Sequence, residues 1–268
     1  MKRADRRSNL ADELAARRDL VARLEQERAD LQIEIAAFRQ VYLRRVGPAR
    51  AELDALDLHI TEYKLRNELI RLRGSALDPA KLEAEVEWQL RDRRQQFAGY
   101  RESIRRAEAT VSTDLSSADQ LTLKSIYRDL AKRVHPDLAI DAADRDARGK
   151  LMAEINAAYG RSDLQALRAM LSRLSEPGGA EGMLSDDRLQ AEIDRLEQVI
   201  VVMRNDIAEL NRSDWMVMKL DAAIARSKGI DWFDRAHRWV DQEAAKRRVE
   251  LDGLIAEFRD LLQRAGIV

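Results

Sequence analysis

Apolar residues recur at intervals of three, four or seven along long stretches of this sequence, and this repeat most limits the possible fold. A repeat of this kind is typical of helices that bury one apolar seam against another helix. The first seam, interrupted by Arg17 and Arg28, comprises Leu10, Leu14, Val21, Leu24, Leu31, Ile35, Phe38 and Tyr42. A second, with polar Asn67 in one core position, comprises Leu53, Leu56, Ile60, Tyr63 and Ile70. A third comprises Leu189, Ile193, Leu196, Ile200, Met203, Ile207 and Leu210.

Proline marks the breaks between helices, because helix interiors exclude it. The sequence Val46-Gly47-Pro48 ends the first seam. We expect the first two helices to form an antiparallel hairpin there, with a kinked continuous helix as the alternative. Asp78-Pro79 is typical of a helix start, with an N-cap followed by proline. Beyond Ser185, a helix ending at Gly229 and another opening at Asp231 predict a second hairpin.

The predicted fold class is all-α, with coiled-coil helical hairpins flanking a smaller helical hairpin. The expected division is N-terminal coiled-coil helices at 1–112, the small hairpin region at 113–174, a linker at 175–184 and a C-terminal hairpin at 185–268. The glycine- and proline-containing sequence SEPGGAEG is the clearest linker signal in the chain.

Composition excludes several classes of protein. Charged residues make up 35% of the 268 residues and aromatic residues only 5%, which favours long helices over a large globular core. The net charge of −1 gives no general reason to expect nucleic acid or a membrane surface as partner. The absence of cysteine excludes disulfides and thiolate metal sites. With neither a signal-peptide core nor a transmembrane run, a soluble cytoplasmic protein is expected.

The stretch from Leu121 to Tyr159 carries the most specific motif. Apolar residues at helical spacing form one stripe: Leu123, Ile126, Tyr127, Leu130, Ala131 and Val134. The other side carries Lys124, Arg128, Lys132 and Arg133. Pro136 should end this helix. A polar loop with Asp141, Asp144, Arg145 and Asp146 should follow, and then a second amphipathic helix with Leu151, Ile155, Ala158 and Tyr159.

The sequences LKSIYRDLAKRVHPD and KLMAEINAAY resemble helices II and III of a J-domain, the module of DnaJ-type co-chaperones. The resemblance covers about residues 115–174. It implies that the loop docks on the ATP state of a DnaK-type chaperone and stimulates ATP hydrolysis, trapping a client. The docking residues it implies are His135, Pro136, Asp137, Lys124, Arg128, Lys132 and Arg133. Proline would fix the loop, the Asp137 carboxylate would accept a charge-assisted hydrogen bond, and the basic helix would steer towards an acidic groove.

The segment departs from the J-domain pattern in several places. The first helix with its Tyr-x-x-Leu-Gly core is missing before Leu121, and Val134 stands where an aromatic residue is common. Asp129 interrupts the basic face, and neither a Gly/Phe-rich segment nor a cysteine zinc module is present. We therefore expect the neighbouring long helices to complete the core of this domain.

Other functions have weaker support. The main alternative is a structural scaffold whose J-like hairpin is only a packed insert. A nucleic-acid-binding role for the N-terminal arginines would require strongly salt-dependent binding. No phosphate-binding loop or nucleophile–base set is present, so we expect no enzyme and no cofactor. His59 and His237 lack metal-ligand spacing, and Trp215, Trp232 and Trp239 fit an interface better than a ligand cage. The long arms should serve self-association or a specific protein client.

Overall fold

The computed structural model describes residues 2–74, 78–109, 117–139, 142–174 and 185–266, which form helices and short turns without a β-strand among them. The predicted all-α fold class is confirmed. The helices are α1 (Lys2–Arg45), α2 (Gly47–Arg73), α3 (Pro79–Ala109), α4 (Ser117–Val134), α5 (Ala142–Gly160), α6 (Leu164–Arg173), α7 (Asp186–Arg212), α8 (Asp214–Ser227) and α9 (Trp232–Arg264).

The chain forms two compact units that are interleaved along the sequence. The first comprises Met1–Ala36 and Ser112–Val217, and the second comprises Ala37–Val111 and Met218–Val268. This grouping differs from the sequential division at 1–112, 113–174 and 185–268, because the start of α1 packs with residues far along the chain. The predicted linker at 175–184 lies outside the described residues.

The first unit contains the seam between α1 and α7. Leucine, isoleucine and valine residues of both helices form one buried cluster that includes Leu14 and Leu196. Arg17 contacts Glu197 at 3.0 Å and Arg28 contacts Asp206 at 3.3 Å, so residue numbers rise together along the two helices. α1 and α7 therefore run parallel, and the two arginines that interrupt the heptad form ion pairs beside the seam.

A second core in the same unit lies between α4, α5 and α6. Its buried members on α4, α5 and α6 are Leu123, Ile126, Tyr127, Leu130, Ala131, Val134, Met152, Ile155, Ala158, Tyr159 and Leu167. Asp163 caps α6 by accepting a hydrogen bond from the Ala166 N–H at 2.9 Å. Ala22 and Ala29 of α1 complete the cluster. The expectation that a neighbouring long helix completes this core is confirmed.

The second unit is built around α2, which packs against α3 and α9. Arg66 of α2 contacts Glu83 at 2.8 Å, and the Arg94 guanidinium further along α3 reaches back to Glu62, so α2 and α3 are antiparallel. Lys64 contacts Glu250 at 2.7 Å. The later Arg71 of α2 pairs with the later Glu257 of α9, so these two helices run parallel.

The predicted hairpin between the first two helices is wrong. Val46 keeps right-handed helical dihedrals, with φ −115° and ψ −28°. Its N–H donates to the Tyr42 carbonyl at 2.8 Å, and its own carbonyl accepts from the Arg50 N–H at 3.0 Å. The chain therefore does not reverse, and the kinked alternative describes this junction. Pro48 lies in the first turn of α2, and its missing N–H removes one hydrogen bond from the otherwise continuous helical path.

The C-terminal hairpin is also wrong, although its helix ends are predicted well. Ser185 caps α7, Gly229 has φ +70°, and Asp231 caps α9. An unpredicted break at Ser213 separates α7 from α8. The seam of α7 packs against α1, while Val240 of α9 packs in a cluster with α2, so each seam is closed by an N-terminal helix.

Replacing Asn67 by leucine should raise the free energy of unfolding by about 1 kcal/mol. The Asn67 amide donates to the Leu254 carbonyl at 3.2 Å and to Glu257 at 3.1 Å, but its own buried oxygen has no hydrogen-bond partner among the described residues. A polar residue in a core position fixes the register of a coiled coil at a cost in stability. Urea unfolding of Asn67→Leu, beside Asn67→Ala as the cavity-forming control, checks this. A lower stability for Asn67→Leu would show that the amide hydrogen bonds outweigh the buried oxygen.

Candidate functional site

The tripeptide His135-Pro136-Asp137 forms the turn between α4 and α5. α4 ends at Val134, as predicted, and a 3₁₀ turn follows at Pro136–Leu138. The Asp137 backbone N–H donates to His135 Nδ1 at 3.2 Å. The proton of a neutral imidazole is therefore placed on Nε2. This nitrogen lies 3.8 Å from Glu25 Oε2 of α1.

The polar loop predicted at Asp141, Asp144, Arg145 and Asp146 differs from the structure where the structure describes it. Asp141 lies outside the described residues. Asp144, Arg145 and Asp146 belong to the first turns of α5, because that helix begins at Ala142, so their assignment to a loop is wrong. Arg145 lies 3.7 Å from the carboxylate of Asp137, which gives this half-buried group a cationic neighbour.

Exposure differs sharply within the tripeptide. Only 5% of the His135 surface is accessible, whereas 31% of the Asp137 side chain is. Pro136 is half-buried. A cleft of about 470 Å³ beside the loop is lined by both helix α1 and helix α7, including Arg28 and Arg195. Pro136 and Asp137 therefore line this cleft with partly accessible side chains, whereas the imidazole of His135 borders the same cleft but is almost fully buried.

The predicted basic face of α4 contacts α1. Lys124 Nζ lies 2.9 Å from Asp30, and Lys132 Nζ lies 3.4 Å from Asp19. Between them, Arg128 Nε donates to the Gln26 side-chain oxygen at 2.8 Å. As the residue number falls on α4 it rises on α1, so the two helices are antiparallel along this contact. The structure thus brings together three of the predicted basic residues, on a surface that another helix occupies.

Arg133 has a different environment from the other three. Its guanidinium donates to the Leu174 carbonyl after α6, at 3.3 Å. The Arg133 carbonyl in turn accepts a hydrogen bond from Arg148 of α5 at 2.9 Å, and Arg148 is held by Asp144 at 2.8 Å. These bonds satisfy the end of α4 and fix its angle to α5. Arg133 is therefore part of the hairpin's own structure.

Two stacked tyrosines connect the hairpin to α1. The rings of Tyr127 and Tyr159 lie 4.1 Å apart between centroids. Tyr127 donates to Asn156 at 2.7 Å, and Tyr159 donates to Asp30, the residue that also pairs with Lys124. Burial raises the pKa of both phenols, and the hydrogen bond to Asp30 raises that of Tyr159 further. Both hydroxyls therefore remain protonated donors near neutral pH.

Glu25 is the acidic residue most deeply placed at the site, with 2% of its surface accessible. Burial alone would raise the pKa of its carboxyl, but interactions with His135 and Arg28 outweigh it, so the pKa lies below its usual value. Arg28 Nη2 lies 2.6 Å from this carboxylate. Arg28 therefore pairs with the buried carboxylate that faces the imidazole of His135.

Sequence reasoning missed the residues of α1 that contact the hairpin. They are Asp19, Ala22, Glu25, Gln26, Ala29, Asp30 and Ile33. A usable signal was present: Ala22, Gln26, Ala29 and Ile33 recur at intervals of four, three and four. These residues form a second stripe beside the leucine seam, and a helix with two such stripes has two buried faces.

The other residues considered as ligands are two histidines and the tryptophans. Among the described residues, no group of three His, Asp or Glu side chains is arranged to hold a metal ion. His59 pairs with Glu62 at 2.9 Å, and His237 contacts the Arg45 carbonyl at 3.0 Å. The ring centroids of Trp232 and Phe38 lie 5.8 Å apart, whereas Trp239 is exposed. In the part of the chain that is described, the helices lack a stretch apolar and long enough to cross a bilayer.

No protein-family model matches this sequence, and no solved structure matches its fold. The resemblance to J-domains stays a prediction from the sequences LKSIYRDLAKRVHPD and KLMAEINAAY.

Proposed function

We propose that this protein is a J-domain co-chaperone that docks on a DnaK-type chaperone and stimulates its ATP hydrolysis. The observation that carries the proposal is the α4–α5 hairpin, which has an apolar core shared with α6 and α1 and a 3₁₀ turn at Pro136–Leu138 that is capped by His135. The resemblance would assign this arrangement to chaperone docking. A cytoplasmic location, where such a chaperone would be met, belongs to the same proposal.

The chemistry of docking follows from the side chains of the loop and of α4. Pro136 restricts the backbone, so a partner would meet a loop that has little conformational entropy to lose. The accessible carboxylate of Asp137 is an acceptor for an arginine of the partner. Lys124, Arg128 and Lys132 lie at four-residue spacing on one face of α4, which complements an acidic surface.

The helical arms would serve the client side of this function. α7 and α9 add apolar surface that is not buried within their own units: Val201, Val202 and Trp239 are each more than half exposed. In this proposal such surface contacts a specific protein client or a second copy of the chain, since scattered apolar residues form no deep peptide groove.

A structural scaffold is the second candidate, and one observation favours it. The predicted docking residues Lys124, Arg128 and Lys132 are engaged with α1, and His135 is almost inaccessible. If the hairpin served only to pack against α1, these contacts would be its entire role. The two candidates differ in what they predict for a chaperone's ATPase.

The His135→Gln variant should lose all stimulation of a DnaK-type chaperone's ATPase, while the wild-type chain stimulates in a concentration-dependent manner. Steady-state hydrolysis is measured with the full chain and the chaperone of its own organism. His59→Gln, at a side chain that is 56% exposed in the other unit, is the matched control and should behave as wild type. Asp137→Asn serves as a second loop variant, because its accessible side chain makes a folding defect less of a concern.

The proposal fails if the wild-type chain gives no stimulation at any concentration while the same chaperone responds to its ordinary co-chaperone. Equal stimulation by wild type and both loop variants would also contradict it. Thermal unfolding by circular dichroism, recorded for each variant, separates a lost contact from a lost fold. Either failure would leave the scaffold as the better description.

A further inference from the structure

The inner face of α1 presents a row of acceptors to the basic face of α4. Asp19, Gln26 and Asp30 each contact one of the three basic side chains expected to meet a chaperone. Their spacing places them on one side of an α-helix. An acidic, amide-bearing helix face is the same chemistry that the basic helix would seek on its partner. α1 therefore occupies the surface that docking requires.

The loop is covered by the same helix. Docking needs His135 to reach a partner, yet its imidazole is turned towards Glu25 and is almost fully buried. A partner could contact Asp137 in this arrangement but could not contact the ring. The hairpin must separate from α1 before the whole tripeptide can be used.

α1 contacts both the hairpin and α7, and its contact with the hairpin buries less apolar surface. Towards the hairpin, α1 buries alanines, the Glu25 carboxylate beside His135 and the Asp30 acceptor of Tyr159, while the side chains of Lys124 and Lys132 are 45% and 50% exposed. Exposed pairs of this kind contribute little, and alanine buries little apolar area. Towards α7, α1 buries leucine and valine side chains. α1 contributes Ala22, Ala29 and the partly buried Ile33 to the cluster of the hairpin, whereas Leu130, Ile155 and Leu167 lie on α4, α5 and α6, so the larger apolar side chains stay together when the hairpin and α6 separate from α1.

We propose that α1 is an intramolecular inhibitor of the J-like hairpin, with residues 19–30 in the place of the chaperone's acidic surface. This inference rests on the proposed function and adds its regulation. The open state has the hairpin detached from α1 with the α1–α7 seam intact. A chaperone, or a client that draws α1 away, shifts the population towards the open state by binding it preferentially.

The test is a charge reversal in α1 that leaves every docking residue unchanged. Asp19→Lys combined with Asp30→Lys places positive charges opposite Lys132 and Lys124, so the closed state should be depopulated. We expect stimulation of the chaperone's ATPase at low protein concentration to rise about fivefold or more over wild type. Hydrogen exchange followed by mass spectrometry should show faster exchange in α4 and in the loop. Asp12→Lys combined with Glu27→Lys, at exposed positions of the same helix, is the control for net charge.

The outcomes separate this inference from the proposed function. Faster exchange with stimulation no higher than that of an active wild type would overturn the inhibition and leave the co-chaperone function standing. Unchanged exchange would overturn it too, because the ion pairs would not hold the closed state. Faster exchange with no stimulation by either protein would overturn the co-chaperone function itself. The milder pair Asp19→Asn and Asp30→Asn should give an intermediate rise, which guards against a folding defect in the charge-reversed chain.

Discussion

The Leu196→Ala variant is expected to lower the free energy of unfolding by about 2–5 kcal/mol, among the largest effects of any single substitution in this chain. Leu196 has no accessible surface and lies in the middle of the α1–α7 seam. Truncation removes the transfer free energy of the buried atoms and leaves a cavity, because two packed helices cannot collapse fully around it. Urea unfolding followed by circular dichroism measures the loss.

Val201 on the same helix is the control for this experiment. Its side chain is 52% exposed, so Val201→Ala should change the free energy of unfolding by no more than about 0.5 kcal/mol. Equal losses for the two variants would mean that the seam is not the buried face of α7. Because α1 is positioned by the seam, Leu196→Ala should also loosen the part of α1 that covers the hairpin.

Helix ends were predictable because their chemistry is local. The N-cap at Asp78 and the proline after it start α3, and the Asp78 carboxylate accepts the Ala80 N–H at 2.9 Å. Ser185, Asp163 and Asp231 cap their helices in the same way. Such bonds join residues two or three apart, so the sequence contains both partners. The break at Ser213 has the same local signal and could have been predicted.

Helix partners could not be predicted from the seams. The spacing of Leu189, Ile193 and Leu196 indicates which face of α7 is buried, and the structure confirms that face. A leucine row packs on any other apolar row, however, so periodicity does not identify the partner. Short connections suggested neighbouring helices, whereas the actual partner of α7 lies near the start of the chain. The ion pairs of Arg17 and Arg28 with α7 are more specific, but in the sequence alone these two arginines only interrupt the heptad.

The sequence predicts which residues form the candidate site, but it does not predict that α1 covers the basic face of α4. Residue order places His135-Pro136-Asp137 after a basic amphipathic helix, and α4 has that form. Whether the basic face is free depends on long-range contacts, because Lys124 meets Asp30 across 94 positions of the chain. An acidic residue on a distant helix gives no sign of such a contact when it is seen alone. The second stripe of α1, through Ala22 and Ala29, is the feature that indicates it.

The Leu130→Ala variant should destabilise the α4–α5 hairpin by about 2–5 kcal/mol and leave the second unit intact. Leu130 has no accessible surface and packs in the cluster of α4, α5 and α6. Leu121 lies on the same helix with 72% of its surface accessible, so Leu121→Ala is a control of identical chemistry and should change stability by no more than about 0.5 kcal/mol. Hydrogen exchange resolves where stability is lost, and we expect faster exchange in α4 and α5 but not in α2 or α9. Equal effects of the two leucines, or faster exchange throughout the chain, would contradict a hairpin that has its own core. The proposed detachment of the hairpin from α1 requires that α4, α5 and α6 stay folded through this cluster.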